Sequence, residues 1–256
     1  MKTLSKFVAA GLLAGASLSA NALNVAGVEW DPSSIFDFSS NSNLIEDLLD
    51  LPAGQNELTG FGIITSINQT TESTFCPLGC ELTYSFSGFT VAAPPIVDAN
   101  GDTILAFTGG TINFFVDYTT PYTAQKRANA EDGTLWLSLT GHAVANALFP
   151  GVNPTLVGVL TSFGAGADAG SGDGLLDVAG GAAATRFDTD TQTDGADFVF
   201  SSSFQPFASG GATDEGYELF GTADLRGNSI PVPSSIMLLG LGLLGMGAGM
   251  SKRKNA

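Results

Sequence analysis

The sequence predicts an all-β fold, an antiparallel β-sandwich of jelly-roll-like topology with one short N-terminal helix. Three observations support this prediction. Apolar and polar residues alternate with a period of two in one segment after another. Gly, Pro, Asn and Asp separate these segments. Residues 23–229, between two hydrophobic ends, are enough for one domain with a substantial core. We therefore expect one β domain over 23–229, preceded by residues 1–22 and followed by residues 230–256.

The strands are predicted from the positions that alternate. In the segment 112–118, for example, Ile112, Phe114 and Val116 point to one face. Gly109 and Gly110 precede this segment and predict a two-residue hairpin turn, because glycine tolerates the positive φ that such a turn requires. An up-and-down barrel of the same strands is the alternative. The predicted strands are 61–67, 82–86, 104–107, 112–118, 135–139, 155–163, 198–204 and 217–225.

Two further segments have a different character. Ser42 or Asn43 can cap a short helix over 44–51, and Pro52 stops it. The segment 164–174 is rich in Gly, Ala and Asp, which predicts a surface loop.

The first 22 residues have the organisation of a secretory signal peptide. Two lysines precede an apolar run over 7–18, which is too short to span a membrane. The small residues Ala20 and Ala22 then suit signal peptidase, so we predict cleavage between Ala22 and Leu23. The chain is therefore expected to be exported.

The C-terminal end also has three parts. A proline motif occupies 230–235, an uncharged, Gly-rich apolar helix is predicted over 236–250, and a basic tail occupies 251–256. Fifteen helical residues span about 22 Å, which is less than the roughly 30 Å of a bilayer's hydrocarbon core. An ordinary single-pass anchor is the alternative. The residues that define the motif and the tail are Pro231, Val232, Pro233, Ser234, Ser235, Lys252, Arg253 and Lys254.

This end resembles the PEP-CTERM sorting signal of Gram-negative bacteria that make exopolysaccharide. Both prolines and the serines match the family's motif, whereas Val232 stands where the family usually has Glu. The resemblance implies transient anchoring in the inner membrane and processing by exosortase, a membrane transpeptidase-like enzyme. It further implies delivery to the cell surface or the extracellular matrix, and it implies no chemical activity.

The charge of the chain excludes one class of partner. The chain has 9 Lys and Arg against 25 Asp and Glu, a net charge of −16. Only four of the basic residues and all of the acidic ones lie within 23–229. Such a surface repels nucleic acid and other polyanions, remains dispersed by self-repulsion and attracts divalent cations.

Cys76 and Cys80 flank Pro77, Leu78 and Gly79 between two predicted strands. Because an exported protein meets an oxidising compartment, we predict a structural disulfide that clamps this turn. A redox or metal-binding dithiol would require C-x-x-C spacing or additional ligands nearby.

Two groups of oxygen-bearing side chains partly match a calcium-binding loop. In the first, a plain Asn-Gly hairpin turn is the competing interpretation. The second lacks the bidentate Glu of such a loop. Calcium is the one cofactor that these patterns suggest. The candidate ligands are Asp98, Asn100 and Asp102 in the first group, and Asp188, Asp190, Asp194 and Asp197 in the second.

The sequence contains no recognisable catalytic set. His142 is the sole histidine, and no G-x-S-x-G motif accompanies it, so we interpret it as a hydrogen-bonded residue at a strand end. Trp30 and Trp136 are expected in the core or at its edge, with stacking on sugar rings as the alternative. The leading hypothesis is a non-catalytic exported protein of the surface or exopolysaccharide matrix, structural or adhesive, with carbohydrate binding as an extension. The alternatives are a secreted glycan-active enzyme using paired carboxylates and a calcium-dependent adhesin.

Overall fold

The alternation of the sequence produces strands along most of the chain. The structure is a computed structural model, and it describes residues 22–41, 44–47, 57–124, 126–163, 168–208 and 212–231. The strands in these ranges are β1 (Leu23–Val25), β2 (Val28–Trp30), β3 (Phe36–Ser39), β4 (Leu44–Asp47), β5 (Glu57–Ile63), β6 (Ser66–Ile67), β7 (Thr70–Thr71), β8 (Glu81–Val91), β9 (Ile96–Val97), β10 (Thr103–Asp117), β11 (Thr134–Gly141), β12 (Leu156–Ser162), β13 (Ala169–Gly180), β14 (Phe198–Pro206) and β15 (Leu219–Gly227).

Helical structure in the described ranges is limited to single turns. Two are α-helical, α1 (Glu72–Phe75) and α2 (Ala184–Phe187), and two are 3-10 turns, Arg127–Asn129 and Thr193–Gly195. None of these turns has a side-chain cap. The described ranges contain no helix with the length and hydrophobicity that a membrane crossing requires. The all-β class is therefore confirmed.

Thirteen of the strands form one antiparallel sheet, and this sheet closes on itself. β10 pairs with β8 on one side and with both β11 and β12 on the other. β11 and β12 pair with β13, which continues through β14 to β15. β15 pairs with β4, β4 with β5, and β5 returns to β8. The hydrogen bonding of the described strands runs around one closed sheet. It does not divide into the two separate facing sheets of a jelly roll.

Aromatic rings fill the interior beside β2, β3 and β11. Trp30 and Trp136 are 4% and 0% exposed, and their ring centroids lie 5.8 Å apart. Phe36, Phe38 and Phe187 pack around them with no exposed surface. Each indole N–H has a partner, since Trp136 donates to the carbonyl of Val25 at 2.9 Å and Trp30 to the hydroxyl of Ser229 at 3.1 Å. The prediction that both tryptophans lie in the core is confirmed.

The predicted hairpin at Gly109 and Gly110 is wrong, because β10 continues through both residues. Their φ values are 74° and 90°, so they bend the strand instead of ending it. The bend lies where the partner of β10 changes, since Thr103–Phe107 face β12 and Thr111–Val116 face β11. The hydroxyl of Thr155 donates to the carbonyl of Gly109 at 2.7 Å and fixes the bend. Glycine therefore marks a corner of the closed sheet.

The predicted helix over 44–51 is wrong where the structure describes it. Leu44, Ile45 and Glu46 are successive buried residues of β4, at 1%, 3% and 3% exposure. They hydrogen-bond between β15 and β5. Strand partners on both sides therefore outweigh local capping signals, as tertiary context often outweighs helix propensity. Residues 42–43 and 48–56 lie outside the described residues.

The predicted loop over 164–174 is also corrected. Residues 169–174 belong to β13, which pairs with β12 on one side and β14 on the other. Gly170 and Gly174 suit this position because a Cβ at either one would meet the backbone of β12 or of the residue before it. Residues 164–167 lie outside the described residues. The composition predicted a surface loop here, whereas the glycines allow close approach of strands.

Candidate functional site

The predicted targeting residues lie at the edges of the described chain. Leu23 begins β1 and is 4% exposed, so cleavage after Ala22 would leave this strand intact. Pro231 is the last described residue. Ala22 is exposed. Residues 1–21 of the predicted signal peptide, including Ala20, lie outside the described residues, as do Val232, Pro233, Ser234, Ser235, the predicted helix over 236–250, Lys252, Arg253 and Lys254.

Cys76 and Cys80 form a disulfide with their Cα atoms 5.1 Å apart, as the sequence predicts. Both residues are buried, at 2% and 1% exposure. The bond closes the turn after α1, where the amide of Gly79 donates to the carbonyl of Cys76 at 2.9 Å. Since α1 packs against β2, β6 and β7, the disulfide fastens this corner of the sheet.

Near α2, the structure brings together three of the four aspartates in the second predicted calcium group. One ligand oxygen each from Asp188, Asp190 and Asp197 lies within 4.8 Å of the others. Asp188 and Asp190 are exposed, and Asp197 is 2% exposed. Asp194 is not part of this group; it lies in the neighbouring 3-10 turn with φ of 57°.

Asp197 has a structural task in this group. Its Oδ1 accepts the backbone N–H of Thr189 at 2.6 Å and of Asp190 at 2.8 Å, while its Oδ2 accepts the N–H of Val178 at 2.7 Å. These bonds join the loop after α2 to β13. The Asp197 carboxylate therefore satisfies three backbone N–H donors. A cation would have to share the carboxylate oxygens with these donors.

The first predicted calcium group is a hairpin turn in which the carboxylate binds its own loop. Oδ1 of Asp98 accepts the N–H of Asn100 at 2.8 Å and of Asp102 at 2.9 Å. These bonds lower the pKa of Asp98, the bond from Asp102 being the strongest cause. The Asn-Gly turn joins β9 to β10, with Gly101 at φ of 93°. This is the geometry of a plain Asn-Gly hairpin turn, the interpretation that competes with a calcium site.

His142 follows the last residue of β11 and is held by Asp177. Its Nδ1 lies 2.8 Å from Oδ1 and 2.9 Å from Oδ2 of Asp177. Its backbone N–H donates to Leu175 at 2.8 Å. The histidine is thus hydrogen bonded at a strand end, as the sequence interpretation expects.

The same histidine lines an open cleft of about 410 Å³. Asp173 and Asp194 contribute carboxylates to its wall, and Asn146 and Thr193 contribute further polar groups. Val144, Leu175 and Val199 provide apolar surface. The volume is in the range of small-molecule sites, about 300–1,000 Å³. The cleft therefore offers a mixed surface that a polyhydroxylated chain could contact.

Sequence reasoning missed a buried carboxyl inside the closed sheet. Glu46 lines an apolar cavity of about 20 Å³, room for one water, with Phe86, Phe107 and Phe204 in the same wall. No hydrogen bond to this carboxyl is found among the described residues. Burial, reinforced by the charge of Asp47, raises the pKa of Glu46 to about 8. An acidic residue within an apolar run was the one signal in the sequence.

Comparison with known proteins identifies a sorting signal. Residues 229–254 match the PEP-CTERM protein-sorting motif. Comparison with curated proteins and with solved structures gives no match. The chain thus carries the motif that the sequence resemblance predicts. The motif indicates an exported protein that exosortase-type machinery processes and directs toward the cell surface.

Proposed function

We propose that the protein is a non-catalytic component of the cell surface or exopolysaccharide matrix, with a structural or adhesive role. The observation that carries this proposal is the PEP-CTERM motif at 229–254. The disulfide between Cys76 and Cys80 supports it, because such bonds persist in oxidising compartments outside the cytosol.

The proposal of a non-catalytic role rests on the chemistry of the polar residues. A hydrolytic triad needs a nucleophile beside its histidine, and the sequence offers no G-x-S-x-G elbow for His142. The oxygens of Asp197 are taken up by backbone donors. These groups maintain the fold, so a scaffold role explains them without a reaction.

Carbohydrate binding extends this proposal, because the cleft beside His142 combines polar groups with apolar surface. The test is a binding assay with the producer's own exopolysaccharide, with and without EDTA. We expect retention of the exported protein on the polysaccharide in both conditions. Absence of binding in both would remove the extension.

Surface delivery is tested with a matched pair of variants. Replacing Pro231 and Pro233 by Ala should interrupt sorting, and the protein should accumulate in the membrane fraction. Replacing Pro94 and Pro95 by Ala, in the connection before β9, is the control and should leave delivery unchanged. Equal surface delivery of both variants would contradict the assigned role of the motif.

A calcium-dependent adhesin is the second candidate, favoured by the proximity of Asp188, Asp190 and Asp197. An ion that binds only the folded state stabilises it by mass action. Melting with calcium and with chelator should then differ by several degrees, and Asp188→Asn should abolish the difference. Identical melting curves would dispose of this candidate.

A further inference from the structure

A second open pocket lies where β3, the β6–β7 turn and β15 meet. Its volume is about 350 Å³, within the range of small-molecule sites, about 300–1,000 Å³. It is lined by Ser34, Ile35, Asp37, Asn68, Gln69 and Arg226.

Two buried polar atoms of residues that line this pocket have no hydrogen-bond partner in the part of the chain that the structure describes. Oδ1 of Asp37 and Nδ2 of Asn68 are both shielded from water, and neither makes a hydrogen bond. An unpaired buried polar atom is costly, and native structures rarely keep one without a reason. One atom is an acceptor and the other is a donor, so a single hydroxyl group could bond to both.

The other polar groups of these two residues are already engaged. The backbone N–H of Asp37 donates to Oδ1 of Asn68 at 3.1 Å. The backbone N–H of Asn68 donates to the carbonyl of Asp37 at 2.9 Å. The first bond fixes the side-chain amide with its oxygen toward β3, which leaves Nδ2 as the free donor. These two bonds hold the β6–β7 turn against β3.

The turn that presents Asn68 has an unusual backbone. Asn68 and Gln69 have φ values of 49° and 64°, and they connect the paired residues Ile67 and Thr70. A two-residue turn of this kind favours glycine at its second position. A glutamine there is strained, and such strain persists only where the surroundings impose it. The disulfide-closed α1 packs against β6 and β7 and supplies that support.

The charges around the pocket favour a neutral ligand. Oδ2 of Asp37 lies 3.6 Å from Nε of Arg226. The pKa of Asp37 is raised chiefly by desolvation, and Asp224 also raises it while Arg226 lowers it. An anion would meet Asp37, Asp224 and an acidic protein. A cation would meet Arg226 and the donating amide of Asn68.

We propose that this pocket binds a neutral sugar unit of a glycan through a hydroxyl group. The hydroxyl donates to the carboxylate of Asp37 and accepts from Nδ2 of Asn68. Because neither atom has accessible surface, the carboxylate of Asp37 and the amide of Asn68 both turn toward the hydroxyl about χ2, a broad torsion. Ile35, 68% exposed, receives the apolar C–H face of the ring. This inference rests on the proposed carbohydrate binding and assigns it a second site, separate from the cleft beside His142.

A peptide fits the pocket less well than a hydroxyl does. Peptides commonly add to sheets through main-chain N–H and C=O groups. The backbone groups of Asp37 and Asn68 that such a strand would need are already bonded to each other's residue. A hydroxyl instead offers a donor and an acceptor at one atom.

The experiment is a titration of the ¹⁵N-labelled exported protein with the methyl glycosides of glucose, galactose and mannose, followed by NMR. We expect the side-chain amide signals of Asn68 and the Nε signal of Arg226 to shift, with a Kd of about 1 mM for at least one sugar, a weak affinity suited to one ring. Asp37→Ala and Asn68→Gly should each weaken binding about tenfold. Asp132→Asn, at an exposed turn before β11 and outside both pockets, is the control and should bind like the parent.

The outcomes distinguish failure of the proposed pocket from failure of the proposed carbohydrate binding. Asn68→Gly keeps a residue that tolerates positive φ, so it remains informative if Asp37→Ala does not fold. Binding of the exopolysaccharide without any shift at Asn68 or Arg226 would overturn the site but leave carbohydrate binding in place. Shifts at Asn68 with a blocked tripeptide and none with the glycosides would also overturn the site. Failure to bind either the glycosides or the exopolysaccharide would overturn both.

Discussion

Asp197 and Asp37 are carboxylates at irregular corners of the same sheet, and their surroundings differ. Asp197 accepts three backbone N–H bonds of 2.6–2.8 Å. Asp37 keeps one oxygen unpaired, and the other lies 3.6 Å from a guanidinium nitrogen. The first carboxylate completes the fold, whereas the second remains available to a ligand. Residue type alone therefore does not identify a binding site. The hydrogen-bond partners of each carboxylate do identify it.

The largest expected effect is the loss of the Asp197 carboxylate. Asp197→Ala leaves the N–H groups of Val178, Thr189 and Asp190 without their acceptor, which should lower the free energy of unfolding by about 4 kcal/mol. Asp188→Asn, at an exposed neighbour, is the control and should change it by less than about 0.5 kcal/mol. Urea unfolding of the three proteins measures both values. Equal stability of Asp197→Ala and the parent would contradict the structural role.

Glu46 differs from both Asp197 and Asp37, because its carboxyl is buried and accepts no hydrogen bond from the residues that the structure describes. Its pKa is raised from 4.5 to about 8 in the folded state. Between these values the unfolded chain has lost the proton while the folded protein keeps it, so stability falls as pH rises. This contribution is fully present below pH 4.5 and is lost by about pH 8. The loss approaches 1.4 kcal/mol per pH unit, or about 3 kcal/mol between pH 5 and 8.

Glu46→Gln isolates this contribution, because glutamine has a similar shape and does not titrate. Unfolding in urea at pH 5, 6.5 and 8 should show a steeper decline for the parent than for the variant. Parallel pH dependences would show that Glu46 does not titrate as its burial implies.

A smaller effect is expected at the disulfide. Replacing Cys76 and Cys80 by Ser removes a short loop closure, which should cost about 2 kcal/mol. It should also weaken glycoside binding, because α1 supports the turn that carries Asn68. Thermal unfolding and the titration measure the two effects. Unchanged melting after reduction would contradict the clamp.

The smallest effect is expected at Asp37. Asp37→Ala removes an unpaired acceptor and only a long ion pair, so the free energy of unfolding should change by less than about 1 kcal/mol. Urea unfolding beside Asp197→Ala makes the comparison direct. A loss as large as that of Asp197→Ala would place Asp37 among the residues that maintain the fold.

The sequence pattern predicts the strands well where one face is consistently apolar. Leu82, Tyr84 and Phe86 in β8, and Ile112 and Phe114 in β10, are buried as alternation requires. Period two depends only on local positions, so it can be recognised without knowing the partner strand.

The errors arise where the partner decides the structure. A glycine pair can form a turn or bend a strand. At Gly109 and Gly110 the strand bends because the partner of β10 changes there from β12 to β11. The residues of β4 carry helix-capping signals, yet they lie between two strands. Local propensity cannot weigh such distant pairings.

The candidate sites divide in the same way. The spacing of Cys76 and Cys80 sufficed to predict their bond, and three clustered aspartates could be anticipated from a segment of 10 residues. Asp37 and Asn68 are 31 positions apart in the sequence. Only the folded structure, in which β3 packs against the β6–β7 turn, brings their unpaired atoms to one pocket. The pattern Ile67-Asn68-Gln69-Thr70 could have indicated a two-residue hairpin, because asparagine tolerates positive φ.

The proposed surface or matrix role depends most on export of the protein and on its processing at both ends. The direct measurement is the intact mass of the protein recovered from the surface or matrix fraction, with and without thiol alkylation. The recovered product should begin at Leu23, end near Pro233 and resist alkylation at Cys76 and Cys80. Recovery from the cytosol of a product that retains both segments and carries two alkylated thiols would contradict it.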